Sequence, residues 1–85
     1  MPDILERVEA VIVVASEGNV TAQALRDANG SLMDAGLDSM QILAVIMGLE
    51  SEFGIIIDVN EDASFIASTA TITEFVTNQL QPEVA

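Results

Sequence analysis

Three stretches of this chain repeat apolar residues every third or fourth position, and a helical bundle is the natural way to bury that pattern. In the first, Ile4, Val8, Val11, Ile12 and Ala15 recur at helical spacing. Asp3 followed by Glu6 fits a capping arrangement, so a helix is expected over residues 3 to 16. "SEGN" at 16–19 closes it, with Gly18 and Asn19 as C-cap residues. The second stretch, "SMQILAVIMGLESEF" at 39–53, has no breaker except Gly48 and reads as the second main helix. The third, "TATITEFVTNQL" at 69–80, puts Ile72, Phe75, Val76 and Leu80 on one face, with Thr71 and Glu74 as a capping box. Pro82 closes the chain beyond it.

The segments between are shorter of signal. From the end of "SEGN" to Asp38 runs a long connection with apolar anchors at Val20, Ala24, Leu25, Leu32 and Met33. Within it "TAQALRDA" reads as a short helix and Asn29-Gly30 as a turn, so an ordered loop packed on the core is expected. "GIII" at 54–57 is β-branched like a strand, but a lone strand has nothing to pair with. An extended connector that buries alternate isoleucines is expected instead. "DVNEDASFIA" at 58–67 gives a turn and a short helix. The expected fold is all-α: a small antiparallel four-helix bundle of three longer helices and one short, with a long loop between helices 1 and 2.

Eighty-five residues suffice for one small domain with a modest core, and residues 1–85 are read as such. A hydrophobic fraction of 51% argues for a folded globule rather than an acidic tail. No apolar run approaches the roughly 18 residues of a membrane span. The start lacks the basic region of a secretory signal, so a cytoplasmic setting is the expectation. A monomer is expected.

Charge and absent residue types narrow the function. Two arginines, Arg7 and Arg26, stand against fourteen acidic residues, a net of −12, and there is no Lys. Such a chain is repelled by nucleic acid and by anionic lipid, and its charge suits basic protein partners. Acidity also serves simply to keep a small protein soluble. With no His, Cys, Lys, Tyr or Trp, the usual general bases, thiol and amine nucleophiles and imidazole or thiolate ligands are missing. Carboxylate pairs remain, but an acid-pair hydrolase needs a walled cleft that a chain this short rarely supplies. No enzymatic activity and no metal site are expected. "DVNEDASFIAST" from Asp58 imitates a calcium loop, yet Ala63 stands where a glycine turn is needed and Thr69 where a bidentate Glu is needed. A solvated turn is the reading there.

The informative stretch is "DAGLDSMQIL", residues 34–43, where a Gly-marked loop gives way to an apolar run. Ser39 could cap the helix, attack a substrate or receive a modification. Without His or Lys it cannot be the nucleophile of a Ser-His-Asp or Ser-Lys site. A cap by Asp38 or by Ser39 remains open.

"D-A-G-L-D-S-M", residues 34–40, resembles the phosphopantetheine attachment motif of acyl and peptidyl carrier proteins, usually D-x-G-x-D-S-L. Asp34, Gly36, Asp38 and Ser39 match it; Met40 stands for the common Leu, and Ala35 for the Leu of many members. The resemblance extends over nearly the whole chain: size, acidity, the long loop, the "ESEFGI" end of the second helix and the Thr-rich start of the last. It implies a four-helix carrier on which Ser39 bears a 4′-phosphopantetheine arm, delivered from coenzyme A by a phosphopantetheinyl transferase, with Asp38 as part of the motif. Acyl or aminoacyl cargo then travels as a thioester on the arm, loaded by a ligase and passed to synthase or transferase enzymes with basic docking patches. The rival reading is an unmodified carrier-like module that docks a basic partner.

A helical wheel divides the second helix. Ile42, Val45, Ile46, Leu49 and Phe53 share one arc, the expected core face. Met40, Leu43 and Met47, with Glu50 beside them, share another, read as a partner-docking face; packing of that arc against the first loop is the competing reading. In fatty-acid carriers the docking face of this helix resembles an acidic strip with an apolar centre, whereas Gln41, Ala44 and Ser51 here are not acidic. The pattern is closer to polyketide or nonribosomal-peptide carriers than to primary fatty-acid synthesis.

Overall fold

A computed structural model describes residues 3–57 and 64–80. Regular structure among them is helical: α1 spans Ile4–Ala15, α2 Ala22–Asp27, α3 Leu32–Ala35, α4 Ser39–Phe53 and α5 Thr69–Leu80, with a 3-10 turn at Ser64–Ala67. Short polar side chains set the helix starts. Asp3, Thr21, Ser31 and Asp38 each accept the backbone N–H three residues further on, which satisfies a donor that the first turn leaves unpaired.

α1 ends within the expected "SEGN" stretch: Ala15 is its last residue, Ser16 the C-cap, and Glu17 (φ 56°) and Gly18 (φ 82°) both take the left-handed region. The N–H groups of Glu17 and Gly18 turn back to the carbonyls of Val14 (3.0 Å) and Val13 (3.3 Å), a Schellman closure. Ser16 holds the turn that follows. Its buried Oγ donates to the Val13 carbonyl at 2.8 Å and accepts the Val20 N–H at 3.0 Å, so the chain must turn there.

The bundle is built on α1 and α4. Near the end of α1, the Ser16 carbonyl accepts a hydrogen bond from Gln41 Nε2 in the first turn of α4, at 3.3 Å. Near the start of α1, Arg7 pairs with Glu52 in the last turn of α4 at 2.9 Å and lies 4.4 Å over the Phe53 ring. The two helices therefore run antiparallel. Midway, a Cβ on Gly48 would sit 2.8 Å from Val11 Cγ1, so the glycine lets the helices approach closely, against a helix-propensity cost of about 1 kcal/mol. The start of α5 lies by the first turns of α1, where Leu5, Glu6 and Thr69 line one cleft. Val8 and Ile12 of α1, Val45 and Leu49 of α4, and Ile72 and Val76 of α5 are fully buried in a shared core. The expected core face of α4 is the observed one: Val45, Ile46, Leu49 and Phe53 are buried and Ile42 is half-buried.

The connection after α1 is more ordered than the sequence suggested. "TAQALRDA" supplies α2, and a second short helix, α3, was not anticipated. Val20, Leu25 and Leu32 are buried and Ala24 is half-buried, as expected of anchors. Met33 is not an anchor: it is 65% exposed, because a helical turn that drives Leu32 inward rotates its neighbour by about 100°. Gly30 ties this connection to α5, its carbonyl accepting the Thr69 N–H at 2.9 Å.

After α4, Gly54 caps the helix in the left-handed region and residues 55–57 have no regular structure; their isoleucines alternate as expected, with Ile57 buried, Ile56 87% exposed and Ile55 half-buried. No strand occurs among the described residues; an isolated bridge joins Ser31 and Ser68. Of the short helix read into 58–67, the 3-10 turn is present, whereas residues 58–63, with the start of the calcium-like pattern, lie outside the described residues, as does Pro82. The expected Thr71–Glu74 capping box is replaced by one a turn earlier. Ser68 Oγ accepts the Thr71 N–H (3.2 Å) and Thr71 Oγ1 accepts the Ser68 N–H (3.1 Å), because the helix already starts at Thr69. Leu80 falls past the core and is 42% exposed, while Phe75 is half-buried and stacks on Phe65 at 4.1 Å.

Candidate functional site

The motif at 34–40 is a sequence of backbone instructions. Gly36 ends α3 in the left-handed region at φ 108°; a Cβ there would meet nothing within 4 Å, so the backbone angle, not space, calls for glycine. The turn drops Leu37 into the core, 3% exposed, with its N–H on the Leu32 carbonyl at 3.1 Å. Asp38 follows in extended conformation and caps α4. Its Oδ1 accepts the Gln41 N–H at 2.8 Å, and Gln41 Oε1 accepts the Asp38 N–H at 3.0 Å, a complete capping box.

This division of labour answers which residue of the Asp38-Ser39 pair is the cap. Asp38 takes that role, which leaves Ser39 as the first residue of α4, exposed, its Oγ without a hydrogen-bond partner among the described residues. The N–H groups of Ser39 and Met40 are also without partners among the described residues. They sit at the positive end of a 15-residue helix, where an oxygen anion is favoured.

Gln41 is the residue whose role the sequence reading missed. Its position suggests a non-acidic member of the docking strip, but it is half-buried and committed inward. Its Oε1 completes the cap and its Nε2 donates to Ser16 of α1. A glutamate could do the first and not the second. The signal was present: an Asp with Gln three residues later, before an apolar run, is a capping-box signature.

The expected outer face of α4 is exposed. Met40 is 76% accessible, Leu43 47% and Met47 62%, so this arc does not pack against the preceding loop. Glu50, grouped with them from the sequence, is half-buried, and its Oε2 accepts the Ile57 N–H at 3.0 Å, which pins the connector to α4. Glu52 is taken by Arg7. The three carboxylates of this helix and its cap thus all have intramolecular partners, and the side chains that continue from Ser39 along the exposed face, Met40, Leu43 and Met47, are apolar.

A second charge pair lies away from this face. Glu9 of α1 is buried, 7% exposed, and receives two hydrogen bonds from Arg26 of α2, at 3.1 and 3.3 Å. That hydrogen bond, and then the charge of Glu9, raise the Arg26 pKa above its ordinary value. The pair joins α2 to α1 and so helps to hold the connection that leads to Ser39. Both arginines are therefore engaged within the fold. Among the described residues no cluster of His, Cys, Asp or Glu is arranged to hold a metal ion, and no helix is long and apolar enough to cross a membrane.

A family model for the phosphopantetheine attachment site matches residues 12–76, from the second half of α1 well into α5. No solved structure matches the chain significantly. A match over that span, with Ser39 and its loop inside it, means that the chain belongs to the phosphopantetheine-attachment family of acyl and peptidyl carrier proteins, whose domains carry 4′-phosphopantetheine as a prosthetic group.

Proposed function

We propose that residues 1–85 act as one carrier domain and that Ser39 is the residue that receives 4′-phosphopantetheine from coenzyme A. The observation that carries this reading is the capping of α4 by Asp38, which leaves the Ser39 hydroxyl exposed and uncommitted next to two unpaired backbone N–H groups. Those N–H groups and the helix dipole suit a phosphodiester on Ser39. The prosthetic group supplies a thiol on which acyl or aminoacyl cargo is held as a thioester. The chain itself presents the hydroxyl, fixes the start of α4 through Asp38 and Gln41, and offers a surface to partners. It contains no base suited to activating Ser39, so deprotonation falls to the transferase, and no reaction of its own is assigned to the domain.

The partner surface in this reading is Met40, Leu43 and Met47, next to Ser39 in the same helix. Its partners are the phosphopantetheinyl transferase, a loading ligase, and downstream synthase or transferase enzymes with basic patches that meet the surrounding net charge of −12. The non-acidic residues flanking that surface, Gln41, Ala44 and Ser51, favour polyketide or nonribosomal-peptide chemistry over primary fatty-acid synthesis. Gln41 weighs little in this, being a structural strut. Exposed Ser51 and the engagement of Glu50 and Glu52 weigh more.

The test is intact mass after incubation with coenzyme A and a broad-specificity transferase. A gain of one phosphopantetheine group is expected in the native chain and none in Ser39→Ala, with helicity by circular dichroism unchanged. A gain that persists in Ser39→Ala places the site elsewhere. No gain in the native chain supports the unmodified docking module instead.

A further inference from the structure

Methionine is the only sulfur-bearing side chain in this protein, and Cys, Trp, Tyr and His are all absent. The side chains most readily attacked by mild oxidants are therefore its methionines. Of the three among the described residues none is buried: Met33 is 65% exposed, Met40 76% and Met47 62%. Two of them, with Leu43 between, make up the apolar face that continues from Ser39 along α4. A thioether suits such a face because it is flexible, polarizable and apolar. A sulfoxide in the same place is polar and must be desolvated before any partner can cover it.

We propose that Met40 and Met47 are sites of reversible oxidation by peroxides, and that oxidation there weakens docking by partners that act on Ser39. The thioether sulfur gives an electron pair to one peroxide oxygen and the O–O bond breaks. A sulfur–oxygen bond forms, and the departing hydroxide takes up a proton to leave as water. Sulfur is oxidised by two electrons and the peroxide is reduced by two. Reduction by a methionine sulfoxide reductase restores the thioether. The fold tolerates the change because the core contains none of these side chains. The inference rests on the carrier reading above.

The experiment uses the apo form of residues 1–85, which has no arm thiol to compete for oxidant. The chain is treated with hydrogen peroxide, cleared of peroxide, and then offered coenzyme A and a broad-specificity transferase. The expected result is a several-fold lower modification rate after oxidation, an unchanged melting temperature, and recovery of the rate after reductase treatment. Each variant is judged by the ratio of its own oxidised and reduced rates. That ratio should return to near one in the double variant Met40→Leu/Met47→Leu and stay low in Met33→Leu. Equal rates before and after oxidation of the native chain would overturn the inference and leave the carrier reading intact. So would a ratio governed by Met33, or a loss of rate that follows a loss of folding. A reduced native chain that gains no mass would overturn the carrier reading first, and the inference with it.

Discussion

The two sides of α4 are both apolar, yet they do opposite things. On the inner side Val45 and Leu49 are fully buried, and Ile46 and Phe53 nearly so. On the outer side Met40, Leu43 and Met47 keep between 47% and 76% of their surface in water. The inner set includes β-branched residues with few rotamers, which suit a fixed fit against α1 and α5. The outer set is unbranched at Cβ, and its methionines can adapt to different shapes in turn. An apolar residue on this helix is therefore read by what lies opposite it. Inward it finds another helix; outward it finds solvent and, in the reading proposed above, a partner.

The sharpest way to break this comparison is Leu49→Ala. It opens a cavity in the centre of the core and should cost about 2–5 kcal/mol, read from thermal or denaturant melting. Next is Asp38→Ala, which acts on the boundary between the two sides. Loss of the cap should cost about 1 kcal/mol and slow modification of Ser39, because the helix start that presents the hydroxyl is no longer held. Asn at the same position keeps the cap and should recover most of both. An effect of similar size is expected for Gln41→Glu, which can keep the capping box but loses the donor to the Ser16 carbonyl. About 0.5–1.5 kcal/mol is at stake, and a variant as stable as the native chain would show that the strut between α1 and α4 carries nothing. The smallest change in stability belongs to Leu43→Ala and Met47→Ala, within about 0.5 kcal/mol. Their effect should appear as a several-fold drop in transferase efficiency. If Leu43→Ala unfolds the protein while Leu49→Ala does not, the two sides have been assigned the wrong way round.

The charge pairs give a further contrast. Glu9 is buried and relies on Arg26, whereas Glu52 meets Arg7 with both side chains more than a third exposed. Arg26→Ala leaves a buried carboxylate without a partner, so it should lower the melting temperature more than Glu52→Ala does. Equal shifts would mean that Glu9 turns outward once unpaired.

Much of this molecule was legible in the sequence because its signals are local. Helical spacing is a property of neighbouring side chains, so the three long helices and the inner face of α4 follow from it. The motif at 34–40 is legible for the same reason: Gly36, Asp38 and Ser39 act on the backbone within a few residues of themselves. Tertiary contact decided the rest. The sequence places the end of α1 at "SEGN", but only the fold shows the Ser16 hydroxyl bonded to the Val20 backbone there. Met33 turns outward because Leu32 takes the core. The sequence places Gln41 and Glu50 on the outer face of α4 and says nothing of Glu9, and each is claimed by a residue distant in sequence or beyond its own helix: Ser16, Ile57 and Arg26. A side chain's chemistry is written in the sequence, but which of its atoms remain free is settled only when the chain has brought its partners within hydrogen-bond reach. Ser39 is left uncommitted because Asp38 and Gln41 are bonded to each other.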